Sequence, residues 1–267
     1  MFDQSMFFRS FIPIIQAMPT TLILTVSSMA LALIGGIVLA LLLTCPVKVV
    51  RGIFKVVSSF LKGIPILVFL YVFDVSIDTV MTKLYSLFNL TYSNRNTPTL
   101  QFAILALALS YTPYLADMIL SAYRAVPRGQ FEAASAFGFT RPQAMRRIII
   151  PQMMVIAIPN FGNHFVNLLK ATSLTCMVTI MEMMGTARNF ATMNQTFLEA
   201  YTACALIYWI VFGVFEQLFR FIEKKAGRYL QPGAIRRHRF PLHLTCFTHC
   251  LRSKKPDPVK TWEGGST

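Results

Sequence analysis

Asn160, Asn163, His164, Asn167 and Lys170 recur at three- and four-residue spacing. On a helix that spacing lines them up along one face. Amides, an imidazole and an ammonium in a row offer donors and acceptors for a small zwitterion, with Lys170 placed to attract a carboxylate at the end of the row. Ser173, just beyond, adds a hydroxyl that could pack or line a path. The same face could equally serve as hydrogen-bonding glue between helices. Asp117 is an acid deep in another apolar run, near Pro113. It could meet a substrate ammonium, pair with Lys170 or His164, or pair structurally with a neighbouring subunit. His243, Cys246, His249 and Cys250 form a Cys/His cluster near the C-terminus, but their spacing fits no standard zinc finger and reads as tail, so no metal is expected. No Ser/His/Asp or Cys/His arrangement is placed for nucleophilic catalysis.

The elements that must position these residues follow from composition. The chain has 267 residues, 55% of them hydrophobic and only 13% charged, with a mean hydropathy of +0.55. Its net charge of +14 would point to nucleic acid in a soluble domain, but such a domain is far richer in charges. The 23 Phe and long apolar runs exclude disorder, and five scattered Cys exclude a disulfide scaffold. A membrane protein remains. An all-α, polytopic fold of about five spans is expected, at residues 20–44, 56–73, 100–122, 153–169 and 198–221. The second is the weakest, crossing only if Lys62 and Asp74 reach opposite interfaces. Residues 176–184 are apolar but short, as in a half-inserted or interfacial helix. Gly35-Gly36 in the first span marks a close helix contact. Glu199 reads as an outer-surface residue, and Glu216 as bundle-facing or near the inner interface.

Twenty of the 25 Lys and Arg residues fall at 45–62, at 123–150 and from Arg220 onward. The intervening loops are balanced, with Lys83 and Arg95 against Asp74 and Asp78, and Arg188 against Glu182. The basic bias places the first group in the cytoplasm, with the N-terminus outside and the C-terminus inside. This divides the chain into an extracytoplasmic 1–19, a membrane domain at 20–230 and a basic cytoplasmic tail at 231–267 lying beside anionic lipid. The +14 then records topology, and no nucleic-acid partner is expected.

The loop at 123–150 carries the densest local signals. Pro127 and Gly129 break the incoming helix. Residues 130–137 suit a short amphipathic helix with Phe131, Ala134 and Phe137 on one side, ended by Gly138 in the left-handed conformation. Thr140 is placed to cap a second helix carrying Arg146 and Arg147, which enters the membrane near Pro151. Such a flanked helix can lie across the face of the bundle or dock in a groove on another protein.

Glu132-Ala133-Ala134, then Gly138, Ile148 and Pro151, reproduce the spacing of the EAA signature of permease subunits of bacterial ABC importers. The stretch from Pro127 to Ala134 resembles VPxGQxEAA of the branch that takes up polar amino acids such as histidine, glutamine, arginine or cystine. Ile148 to Gln152 resembles its IILPQ, Ile158 to Asn163 its IPxxxN, Lys170 to Leu174 its KxTSL, and Lys62 to Pro65 its RGTP turn. The resemblance runs from about residue 20 to about 225. Lys62 for the usual Arg, Ile64 for Thr, Asp117 for Glu and Leu120 for Arg are departures that weaken transfer of a substrate.

The resemblance implies the ABC importer permease fold and a division of labour. A cytosolic ATPase dimer binds ATP, an extracytoplasmic binding protein delivers substrate, and two permease subunits, alike or different, form the path. The chain has no GxxxxGK[ST] phosphate loop, so it is expected to hold no cofactor and to be no enzyme. Gln130, Phe131, Glu132, Ala133, Ala134 and Gly138 would form the helix seated in the ATPase. Asp117, Asn160, Asn163, His164, Asn167, Lys170 and Ser173 would line the path for a polar amino acid, with cystine favoured on no particular residue. The alternatives are a permease for another small polar solute and a membrane scaffold that uses the same loop only for binding.

Overall fold

A computed structural model describes residues 2–87 and 98–227. The tail from 228, with its Cys/His cluster, and Arg95 lie outside the described residues. The described residues are helical, with no strand among them. In order they form α1 (Gln4–Gln16), α2 (Met18–Leu43), α3 (Lys48–Gly63), α4 (Ile66–Leu87), α5 (Thr99–Ala125), α6 (Gly129–Ala136), α7 (Arg141–Ala144), α8 (Ile150–Ala171), α9 (Met183–Asn194) and α10 (Phe197–Gly227).

α2, α5 and α10 are each long and apolar enough to cross a bilayer. Two further crossings reach that measure only as bent pairs, α3 with α4 at 96° and the α7–α8 stretch with α9 at 44°. The first, third and fifth expected spans therefore stand almost unchanged, and the fourth lies within α8.

The second does not run through residues 56–73 as one helix. Pro65 lacks an N–H and pushes the residue before it out of the helical region, so Ile64 is extended at φ −87°, ψ 125°. The helix before the bend carries Lys48, Arg51, Lys55 and Lys62 on one flank and exposed Val49, Ile53, Val56 and Phe60 on another. Asp74, Asp78 and Lys83, expected in a loop, belong to α4.

The N-terminal stretch, expected only as a segment before the first span, contains α1. Asp3 caps it, accepting from the Ser5 and Met6 N–H groups. The Ser5 hydroxyl, followed by those two N–H groups, holds the Asp3 carboxyl below its ordinary value. Asp3 also donates its own N–H to Glu199 Oε1 at 2.9 Å, which fastens α1 to α10. Glu199 is thus buried, not on the outer surface as its position at the end of a span predicts.

Two apolar clusters share α8. Leu168 faces a cluster built mainly by α2, α4 and α5, and its neighbour Leu169 faces one built by α1, α9 and α10. The Gly35-Gly36 pair makes a close approach beside the first cluster. A methyl on Gly35 would stand 2.9 Å from Thr112 Oγ1, and one on Gly36 2.9 Å from Leu115 Cβ, so the pair lets α2 lie against α5. Gly162 does the same for α8, where an added methyl would meet the Phe219 ring at 2.9 Å.

Candidate functional site

α6 hangs from the end of α5 as the sequence predicts. Its C-terminus is a complete left-handed stop: Gly138 sits at φ +77°, its N–H donates to Ser135 O, and Phe139 N–H donates to Ala134 O at 3.0 Å. Thr140 then opens α7 with a capping box, its N–H donating to Gln143 Oε1 at 3.0 Å. The entry of the next span is a π-helical turn, Met145–Ile149. That turn precedes Pro151, whose ring cannot follow a regular α-turn without clashing with a preceding carbonyl.

Within α6, Ala134 is buried and Phe131 packs edge-on against Tyr123, at 6.3 Å between ring centroids. Phe137, expected on the same packed side, is instead 83% exposed: it is the C-cap of α6, and six residues of helix turn it away from Phe131. Glu132 and Ala133 are exposed beside it. Gln130 accepts from Gln152 Nε2 at 3.1 Å, tying α6 to the first turn of α8. From there α8 runs 22 residues, about 33 Å.

Along α8 the expected row is present. Asn160, Asn163, Asn167 and Lys170 are exposed and His164 is half-buried. None of the three amides has a hydrogen-bond partner among the described residues. Lys170 stands over the Phe212 ring at 5.2 Å. Ser173 turns back and donates to Lys170 O at 2.7 Å, so its hydroxyl is used by the helix end.

Asp117 does not meet Lys170. It pairs with Lys62 at the end of α3. Next to this pair, the Tyr114 ring lies 6.4 Å from that of His164, and its hydroxyl reaches Lys62 O at 3.5 Å, the outer limit of a hydrogen bond. Lys62, Tyr114, Asp117 and His164 thus bring α3, α5 and α8 to one polar cluster. Tyr114 and Lys62 were not expected in it. A tyrosine three residues before an acid was the available signal, since i and i+3 share a helix face.

Glu182 was the larger omission. It belongs to no balanced loop but is fully buried. Its carboxylate accepts from Gly185 N at 2.8 Å, Met184 N at 3.0 Å and the Tyr208 hydroxyl at 2.8 Å, capping α9 and binding it to α10. Met183 N, next to Glu182, donates to the Thr21 hydroxyl at 3.2 Å, which brings in α2. Residues 176–184 are therefore not one short helix. A 3₁₀ segment, Thr172–Val178, ends at Thr179 in the left-handed region, and Glu182 restarts the chain as α9. Glu216 pairs with Arg220 one turn on, as a residue near an interface would.

Residues 32–228 match the family model of the binding-protein-dependent transport system inner membrane component. A probable amino-acid permease of Bacillus subtilis, YxeN, is 34% identical over 229 residues, spanning 85% of this chain and 98% of that protein. The L-cystine transport system permease TcyL of the same organism is 33% identical, over 84% of this chain and 91% of its own. A crystal structure of an amino acid ABC transporter with histidines superposes with a TM-score of 0.67 at 26% identity, covering 80% of this chain and 94% of that one. The likeness extends over the segment that holds α6, the amide row and the Lys62–Asp117 pair. The chain is a multi-pass membrane protein and belongs to the family of binding-protein-dependent transport system inner membrane components.

Proposed function

We propose that this chain is the permease subunit of an ATP-driven ABC importer that carries a polar amino acid into the cytoplasm. The observation that carries the proposal is the open amide row. Three Asn side chains without partners among the described residues, on a helix at membrane depth, are tolerated only where protein or water covers them. A path between two permease subunits supplies both. There the amides can hydrogen-bond the ammonium and carboxylate common to amino acids, and Lys170, braced on Phe212, offers a carboxylate its positive charge.

Relatives named for cystine and a transporter crystallised with histidines support this class of cargo. Those two ligands share only the zwitterion, so the proposal is made for a polar amino acid, with cystine as one member. α6 would dock on a cytosolic ATPase. Exposed Glu132 would make polar contacts there, Ala133 would allow close approach, and Phe137 would enter an apolar recess. ATP would be bound and hydrolysed by that partner, and an extracytoplasmic binding protein would deliver the cargo. Closure of the ATPases would shift α6 and, through the Gln130–Gln152 bond, tilt α8. The coupling loop would then face the cytoplasm and the N-terminus the outside, in keeping with the basic bias.

Thiol labelling tests the path. Asn163→Cys and Asn167→Cys, in a form lacking the native cysteines, should react with a membrane-impermeant hydrophilic reagent in the assembled importer, and a transported amino acid should slow the reaction. Cysteines that stay unreactive in every nucleotide state would refute the path reading in favour of helix-to-helix glue.

A further inference from the structure

α3 has three distinct flanks. Phe54 and Leu61 pack against the bundle. Val49, Ile53, Val56 and Phe60 form a largely exposed apolar stripe. Lys48, Arg51, Lys55 and Lys62, at spacings of three, four and seven, form a basic flank. A helix bent 96° away from the following membrane segment, apolar on one side and basic on another, suits the boundary between acyl chains and headgroups.

At that level a cleft of about 560 Å³ opens between α3 and the last turns of α5. Lys55, Ser58 and Ser59 line it from α3, and Ser121 and Arg124 from α5, with the Lys62–Asp117 pair at its side. Because Lys62 already neutralises the acid, two cations remain. Neither Lys55 nor Arg124 has an anionic partner among the described residues.

We infer that this cleft binds the phosphate of an anionic phospholipid from the leaflet next to α6. Lys55 and Arg124 would meet the phosphate charge, and the serine hydroxyls would donate to its oxygens or to a glycerol headgroup. The apolar stripe lies on a different flank of α3 from Lys55 and Lys62; it holds the helix at the acyl-chain boundary and so sets the cleft at headgroup depth. A soluble phosphate or the carboxylate of a cargo molecule shares the anionic chemistry but is not held at that depth. Since Arg124 closes the helix from which α6 hangs, the bound lipid would brace the coupling loop. The inference rests on the chain being a membrane protein, not on the cargo.

Lipid retained by the complete importer, purified in mild detergent, provides the test. The wild type should retain phosphatidylglycerol in preference to phosphatidylcholine. A Lys55→Gln/Arg124→Gln variant should retain about 25-fold less, at roughly fivefold for each cation lost. Lys55→Arg/Arg124→Lys, which keeps both charges, and Lys48→Gln, on the same flank but outside the cleft, should both stay near the wild type. Equal loss in Lys48→Gln would mean diffuse surface charge and overturn the site. Displacement of the lipid by inorganic phosphate alone, or by a transported amino acid, would overturn the lipid assignment. Failure of amino-acid uptake with lipid retention intact would count against the proposed cargo and leave this inference standing.

Discussion

The side chains that matter most act through partners far away in the chain. Lys62 and Asp117 are 55 residues apart, and each is the nearest compensating charge for the other. In a double-mutant cycle on the purified protein, Lys62→Gln and Asp117→Asn should each lower thermal stability, and the double variant should recover a coupling of about 1 kcal/mol. Additive losses would show that the pair carries no energy. Glu182 holds more, because removing it strands two backbone donors and the Tyr208 hydroxyl in the interior. Glu182→Ala should cost on the order of 3 kcal/mol, read as a lower melting temperature in detergent, and Glu182→Gln much less because an acceptor remains. Neither pairing was legible in the sequence. An acid's burial depends on which helices fold over it, and Tyr208 lies 26 residues beyond Glu182.

Elements whose boundaries are set locally were legible. Pro127, Gly129 and Gly138 delimit α6, Thr140 caps α7, and Gly35-Gly36 marks the α2–α5 contact, because each effect needs only a few neighbouring residues. The second span was misread for the opposite reason. Residues 56 to 73 are apolar apart from Ser58, Ser59 and Lys62, and hydropathy is blind to the 96° bend that Pro65 introduces inside them. α1 escaped notice because its role depends on the Asp3–Glu199 bond, made with the other end of the membrane domain.

At this scale Gly138 gives a clean prediction. Its φ of +77° costs any residue with a Cβ roughly 1–2 kcal/mol. Gly138→Val should therefore leave the protein inserted and its bundle melting temperature nearly unchanged, while loosening the end of α6. Substrate-stimulated ATP hydrolysis by the assembled importer should fall at least severalfold, and unchanged stimulation would separate α6 from coupling.

In the whole molecule, α8 is the element to which the other parts report. It touches both apolar clusters through Leu168 and Leu169, joins α6 through Gln152, and exposes Asn160, Asn163 and Asn167. A long helix tied at one end to α6 and open along one face would suit the alternating access proposed for it. Asn side chains serve as contacts for a zwitterion only if that face lines the path, so the same residues carry both the structural and the functional claim. Leucine at these positions keeps the size of the side chain but removes every hydrogen bond; loss of interhelical glue would show as failed assembly, loss of a path as failed uptake by an importer that still assembles.

The most direct measurement is ATP-driven uptake of radiolabelled amino acids into proteoliposomes containing this chain, its ATPase and its binding protein. Wild-type vesicles should accumulate a polar amino acid in an ATP-dependent, saturable way. Asn163→Leu/Asn167→Leu should assemble normally yet lose uptake at least tenfold, as expected when two hydrogen bonds worth about 1 kcal/mol each are removed. Undiminished uptake in that variant, or no ATP-dependent amino-acid uptake by the wild type, would contradict the account.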